Sequence, residues 1–347
     1  MDLKITHGKG NARNSEGAFV DLKDGSTLFI YTKYRGCWND HAVADLAQII
    51  YSPKTKTWSK PKILVRNKAM NVMSVSLLRL QSGAIAFAYL EKTYYKEYDY
   101  VDCRPIYRIS QDEGKTWSEP VPIPKTPPAY YVIANDRLIQ LKSGRILLPT
   151  SLYVPSPVPQ GIAFCFYSDD DGATWHKSRQ TCYPPQWLRS GFAEPGAIER
   201  KDGSVMMWFR TNGGCQYKAF STDGGESWSA PVPAPEFQAP ESPMSIKADP
   251  ATGDWIAVWN DHDPRYGIPY DRGSCGRTPF VMAYSHDEGE SWEDHTVLGS
   301  DIGHVYCYTA IHFPKKKKGH VLLAYCCGPL DNWLGDCQIE LRKLIKK

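Results

Sequence analysis

An eight-residue pattern, Ser-x-Asp-x-Gly-x-(Thr/Ser)-Trp, occurs four times in this chain: Ser110 to Trp117, Ser168 to Trp175, Ser221 to Trp228 and Ser285 to Trp292. A worn fifth copy, YSPKTKTW, ends at Trp58. The chemistry of the pattern is that of a tight turn. Asp accepts from nearby backbone N–H groups, and Gly supplies backbone angles that other residues resist. The closing Trp then packs back onto the next layer. Recurrence at intervals of roughly 50–65 residues makes this a repeat architecture rather than a chance motif.

A second repeat runs in phase with the first. Gly-ended turns at Gly25, Gly83, Gly144, Gly203, Gly253 and Gly319 each precede an apolar, β-branched or aromatic run, such as SVMMWFR or HVLLAYC. These compositions favour strands. In the first five units a third strand follows and leads to the Asp-type turn and Trp. The sixth unit lacks that turn, and its last strand, QIELRKL, is expected to close against the N-terminal segment. No stretch carries long helical periodicity. Six units of about four strands predict an all-β fold, a six-bladed β-propeller, forming one domain over residues 1–347.

Composition narrows the partners. A chain that is 42% hydrophobic and 23% charged can bury a large core, and its net charge of +3 is too small to argue for nucleic acid or membrane. The run Lys315 to Lys318 precedes a Gly turn and is expected to be a solvated hairpin. The ten Cys show no C-x-x-C pair and no metal-ligand spacing, so reduced thiols and no metal are expected. The start, MDLKITHGKG, has no apolar signal core, and nowhere do 18 apolar residues run together. As written the chain is expected to be cytoplasmic; one trimmed of a leader would read the same and would be secreted or periplasmic.

With both repeats on the page, the chain resembles the sialidase (neuraminidase) superfamily, whose Asp-box repeats are this pattern and whose fold is a six-bladed propeller. The resemblance covers nearly the whole chain. It implies a glycoside hydrolase acting on a sugar with a carboxylate on its anomeric carbon. Guanidinium groups suit that carboxylate, because they bind it bidentately and stay charged. A Tyr, neutral at rest, suits attack beside an anion if a Glu can take its proton. A separate acid must protonate the leaving oxygen.

Carried over residue by residue, FAEPGAIERKDGSVMMWFR implies Glu194 as the base for the Tyr and Arg210 as one clamp arginine. GRTPFVMAYSHDEGESW implies Arg277 as a second, with Arg272 in the same loop as the alternative. HVYCYTAIHF implies Tyr308 as nucleophile, with Tyr306 competing two residues earlier. The first unit departs from the family: counting back from Gly25 places Ser15 or Glu16 where an Arg is usual. The third clamp residue is then Arg13, or Arg137 in NDRLIQL. The loop KYRGCWNDHAVADL implies Asp40 as acid/base, with Asp45 as alternative and His41 near Asp40 or substrate. Asn71 to Ser76, Tyr130, Tyr131, Asn135 and Asp136 begin inner strands and are candidates to line the mouth. The Asp112, Asp170, Asp223 and Asp287 turns are expected to be structural.

The implied function is exo-α-sialidase activity on a sialylated glycan, without metal or organic cofactor. A hydrolase of a related 2-keto acid sugar, retaining or inverting, is the nearest alternative. A non-catalytic carbohydrate-binding propeller and a protein-interaction scaffold belong to other classes, and neither requires the Tyr/Glu pair.

Overall fold

The computed structural model describes residues 1–125, 128–154, 160–267, 276–330 and 334–345. Strands dominate, and no α-helix occurs among the described residues; Lys96–Tyr98 and Pro264–Tyr266 are single 3₁₀ turns. Most strands pair antiparallel with their sequence neighbours. The fourth unit runs Ala193–Glu199, Val205–Arg210, Cys215–Ser221 and Val232–Gln238, and the fifth repeats that meander from Ser245–Ala248 to Glu293–Gly299.

Among the described residues the strands form five hydrogen-bonded sheets, one fewer than the number of repeat units. The nine-stranded sheet holds units two and three together, because Tyr130 pairs in parallel with Cys103. The last unit closes on the start of the chain. Asp336–Lys343 pairs with Leu3–Ile5, with Leu3 opposite Ile339. That is the closure expected for QIELRKL, and it leaves a buried core cluster of Phe19, Phe29, Tyr31, Leu322 and Ile339 shared by the two ends of the chain.

The four intact Ser-x-Asp-x-Gly turns share one hydrogen-bond scheme. In the second, Ser168 Oγ donates to Asp170 Oδ1 at 2.8 Å and accepts from Gly172 N at 2.8 Å. Asp170 also accepts from Thr174 N and Thr174 Oγ1, at 2.8 and 2.7 Å. The glycine is needed for room: a Cβ on Gly172 would lie 2.2 Å from the Tyr107 ring. The Trp of three turns packs edge-on against a neighbouring ring, Trp117 on Phe87, Trp175 on Tyr107 and Trp292 on Phe237, and Trp228 is buried in the core beside Leu147. These turns are therefore mortar between strands. The nine described cysteines are free thiols, eight of them at least partly buried.

The first strands of the units converge. Arg13–Asp21 lies against both Asn71–Arg79 and His304–His312, and Ser245–Ala248 lies against Ala193–Glu199 and His304–His312. Arg13–Asp21 is buried along its length until Asp21. The ends of these strands line the cavity.

Candidate active site

Four of the converging strands carry a β-bulge at the same place. The register slips between Ser15 and Ala18, Met73 and Ser76, Ala193 and Gly196, and Cys307 and Ala310. Each slip holds one residue with left-handed backbone: Glu16 (φ 51°), Ser74 (φ 59°), Glu194 (φ 45°) and Tyr308 (φ 56°). Non-glycine residues avoid that region at a cost of about 1–3 kcal/mol each. A bulge re-aims its side chain, and all four side chains line one cavity of about 450 Å³.

Three arginines meet there. Arg13 is buried; its Nη1 donates to Asp40 Oδ1 at 2.6 Å and its Nη2 to Glu16 Oε1 at 2.7 Å. Arg210 Nη1 donates to Glu194 Oε2 at 2.8 Å, and its Nη2 reaches Glu241 at 3.3 Å. Arg277 Nη1 donates to Cys307 Sγ at 3.1 Å, with its guanidinium 5.3 Å from the centre of the Tyr308 ring. Lys92 adds a fourth cation and donates to the Asp40 carbonyl at 2.7 Å. Of the cavity's charged lining, Arg13, Lys92, Arg210 and Arg277 stand against Glu16, Asp40 and Glu194, four cations to three carboxylates. The excess is positive, so the cavity favours an anion.

The Tyr308 hydroxyl donates to Glu194 Oε1 at 3.0 Å. Burial and the Glu194 charge hold the phenol well above its usual pKa, and Arg277 and Arg210 only partly offset them. Tyr308 is thus neutral at rest with a proton acceptor already in place. Burial also raises Glu16, against the pull of Arg13; Ser74 Oγ donates to its other oxygen. Asp40 behaves oppositely. Partial desolvation would raise it, yet Arg13 and Lys92 hold this half-exposed carboxylate below the ordinary range.

Arg13, Asp40, Glu194, Arg210, Arg277 and Tyr308 therefore come together, from four repeat units. Counting back from Gly25 reached Ser15 or Glu16, whereas the arginine in the cavity is Arg13, before a bulge that adds one residue to the strand. Other expected residues lie elsewhere. Arg137 does not reach the cavity: its Nη2 donates to Met244 O at 2.7 Å and its guanidinium lies over Trp208. Tyr306 stacks on Phe280 at 5.7 Å between the last two units. The left-handed turn at Tyr308 breaks the alternation that made the two tyrosines equivalent. Asp45 is buried and committed to Arg66 Nη1 and Asn67 N, both at 2.9 Å. His41 is exposed at the rim, its ring 6.3 Å from that of Tyr130. Arg272 lies outside the described residues.

Trp38, Lys92 and Tyr153 also line the cavity, with Glu241 beside Arg210, and the sequence reading passed over all four. Only Lys92 carried a signal, a cation closing the apolar run IAFAYLEK.

Comparison with known proteins bears on this cavity. The model of the BNR repeat-like domain matches residues 44–316. The chain belongs to that family. It is a member of the sialidase-like superfamily. A sialidase of Bacteroides fragilis is 25% identical over 271 residues, covering 74% of this chain and 45% of that protein. The anhydrosialidase of Macrobdella decora is 34% identical over 134 residues, covering 36% of this chain and 16% of that protein. The chain thus spans less than half the length of these two relatives. Among solved structures, the Hadza microbial sialidase Hz136 superposes with a TM-score of 0.77 at 17% identity, over 99% of this chain and 68% of that one. A protein of unknown function from Dyadobacter fermentans gives 0.76 at 18%, over 98% of both. These likenesses show a β-propeller-like all-β fold. The family match begins after Asp40, so Arg13 and Asp40 are placed by geometry alone.

Proposed function

We propose that this protein is a glycoside hydrolase of exo-α-sialidase type, built as one six-bladed propeller domain in which units two and three count as separate blades. The observation that carries the reading is the Tyr308–Glu194 hydrogen bond of 3.0 Å inside a cavity lined by Arg13, Arg210 and Arg277. Relatives named as sialidases support it.

In this reading the arginines grip the substrate carboxylate. The Tyr308 oxygen forms a bond to the anomeric carbon while Glu194 accepts the phenol proton. The bond from the anomeric carbon to the leaving oxygen breaks as Asp40 gives that oxygen a proton. Water then attacks the anomeric carbon with Asp40 taking its proton, and Tyr308 leaves and is reprotonated by Glu194. Two displacements retain the anomer.

Release of a fluorescent phenol from an aryl α-sialoside by wild type and Tyr308→Phe tests this. Turnover in the wild type and its loss in the variant support the reading; NMR of the first-formed anomer separates retention from inversion. A wild type inert toward sialosides removes it. The second reading, hydrolysis of another 2-keto acid sugar, is favoured by Glu16, a carboxyl beside the clamp arginine where a substrate group must fit.

A further inference from the structure

Beneath the cavity, Asn135 bridges the strand that carries the clamp and the strand that carries the candidate nucleophile. Its Nδ2 donates to Gly17 O at 2.8 Å and to Tyr308 O at 3.1 Å. Gly17 belongs to the bulge of unit one, four positions after Arg13. Tyr308 belongs to the equivalent bulge of unit six. A bulge takes backbone groups out of the ladder, and a buried carbonyl so released needs a donor. One amide from unit three supplies two such donors, one to each strand.

The rest of that amide is informative. Asn135 Oδ1 is buried without a hydrogen-bond partner. Turning the amide over would point this oxygen at two carbonyl oxygens, which only accept. The orientation is therefore fixed by chemistry, and the residue keeps a polar atom unsatisfied in order to present both N–H groups. Neighbours extend the grip along the nucleophile strand. Ser245 Oγ donates to Thr309 O at 2.6 Å, and Arg137 Nη1 holds that hydroxyl at 3.2 Å. Asp136 accepts from Ile311 N at 3.0 Å.

We propose that Asn135 is a positioning residue that sets the separation between the Arg13 clamp and the Tyr308 oxygen, and so governs the bond-forming step rather than substrate capture. The inference rests on the reading of Tyr308 as nucleophile. A misplacement of about 1 Å at reacting atoms costs on the order of 100-fold in rate.

Asn135→Leu removes both donors at similar volume; Asn135→Asp keeps one only when its carboxyl is protonated. On an aryl α-sialoside, Asn135→Leu is expected to lower kcat about 10- to 100-fold with KM near the wild-type value. Asn135→Asp should recover rate relative to wild type as the pH falls. Wild-type kcat in Asn135→Leu overturns the inference. So does a loss that merely follows the folded fraction, with kcat per folded molecule at the wild-type value and no recovery in acid. If the wild type itself turns over no sialoside, the functional reading fails separately. The inference is then decided by the ¹³Cζ resonance of Tyr308, identified by its absence in Tyr308→Phe. A shift of that resonance in Asn135→Leu upholds Asn135 as the spacer, and an unmoved resonance overturns it.

Discussion

Asp40 Oδ1 accepts from Arg13 Nη1 at 2.6 Å, so the arginine aimed at a substrate anion already holds the candidate acid. If Arg13 clamps the substrate carboxylate as proposed, that carboxylate and Asp40 compete for one guanidinium. In the free protein Asp40 is held ionised by Arg13 and Lys92. Occupying Arg13 with a ligand anion weakens that hold and raises the pKa of Asp40, which is the direction a proton donor needs. Binding of a non-hydrolysable sialic acid analogue at mildly acidic pH should therefore take up protons, read by calorimetry in buffers of different ionisation enthalpy. Uptake should vanish in Asp40→Asn. Equal heats in all buffers for the wild type would sink the competition.

The same pair separates leaving groups. Asp40→Asn should slow cleavage of a sialyl-galactoside by about 100-fold or more, the usual scale of general acid catalysis. An aryl sialoside, whose phenol leaves with little help, should lose much less. Equal losses on both substrates would remove Asp40 from the acid role.

Arg210→Lys and Arg277→Lys test the clamp. Both keep the charge and lose the planar fork. Each should raise KM roughly tenfold, about 1.4 kcal/mol of binding. A variant that bound the acid sugar as the wild type does would place that arginine outside the clamp.

Glu16 gives a pH-dependent stability. Burial raises its folded-state pKa above the unfolded value near 4.3, outweighing Arg13 and the Ser74 bond. A raised acid contributes stability below its unfolded pKa and loses it as pH rises through the folded one. Glu16→Gln removes that dependence. Its melting temperature, measured relative to wild type, should climb as pH rises from about 4. A constant offset across pH would mean that Glu16 titrates normally.

Asp223→Ala should cost stability and spare chemistry. Asp223 accepts from Ser227 N at 2.8 Å and from Ser221 Oγ at 2.8 Å, with Ser227 Oγ also donating. Losing these bonds should cost about 1–3 kcal/mol in denaturant unfolding. The kcat/KM of the folded protein should be unchanged; a specific fall would give the turn a role at the site.

The strands, the turns and the joining of the chain ends were legible because each follows from a short local pattern. The Trp after each Gly announced its packing. The resemblance brought Glu194, Arg210, Arg277 and Tyr308 forward, and the structure gathers them. What stayed hidden depended on bulges. At Glu16, Ser74, Glu194 and Tyr308 nothing in the residue type signals a left-handed backbone, since these are residues that normally avoid it. Counting in twos along such strands fails, which is why Tyr306 rivalled Tyr308. Lys92 was hidden for another reason: a cation in a strand is ordinarily on the outside, and only the fold turns this one inward. The parallel pairing of Tyr130 with Cys103, which merges two units into one sheet, is a contact between strands of different units that no repeat pattern encodes.

The antiparallel pairing of Leu3 with Ile339 has a consequence for synthesis. Residues 3–5 and the strand 336–343 that they pair with are more than 330 positions apart in the sequence. The sheet bearing Arg13 needs only residues 13–65, whereas the sheet bearing Tyr308 is unfinished until residues 336–343 have been made. A growing chain can therefore fold its middle units early, but the cavity has no complete wall until the last strand arrives.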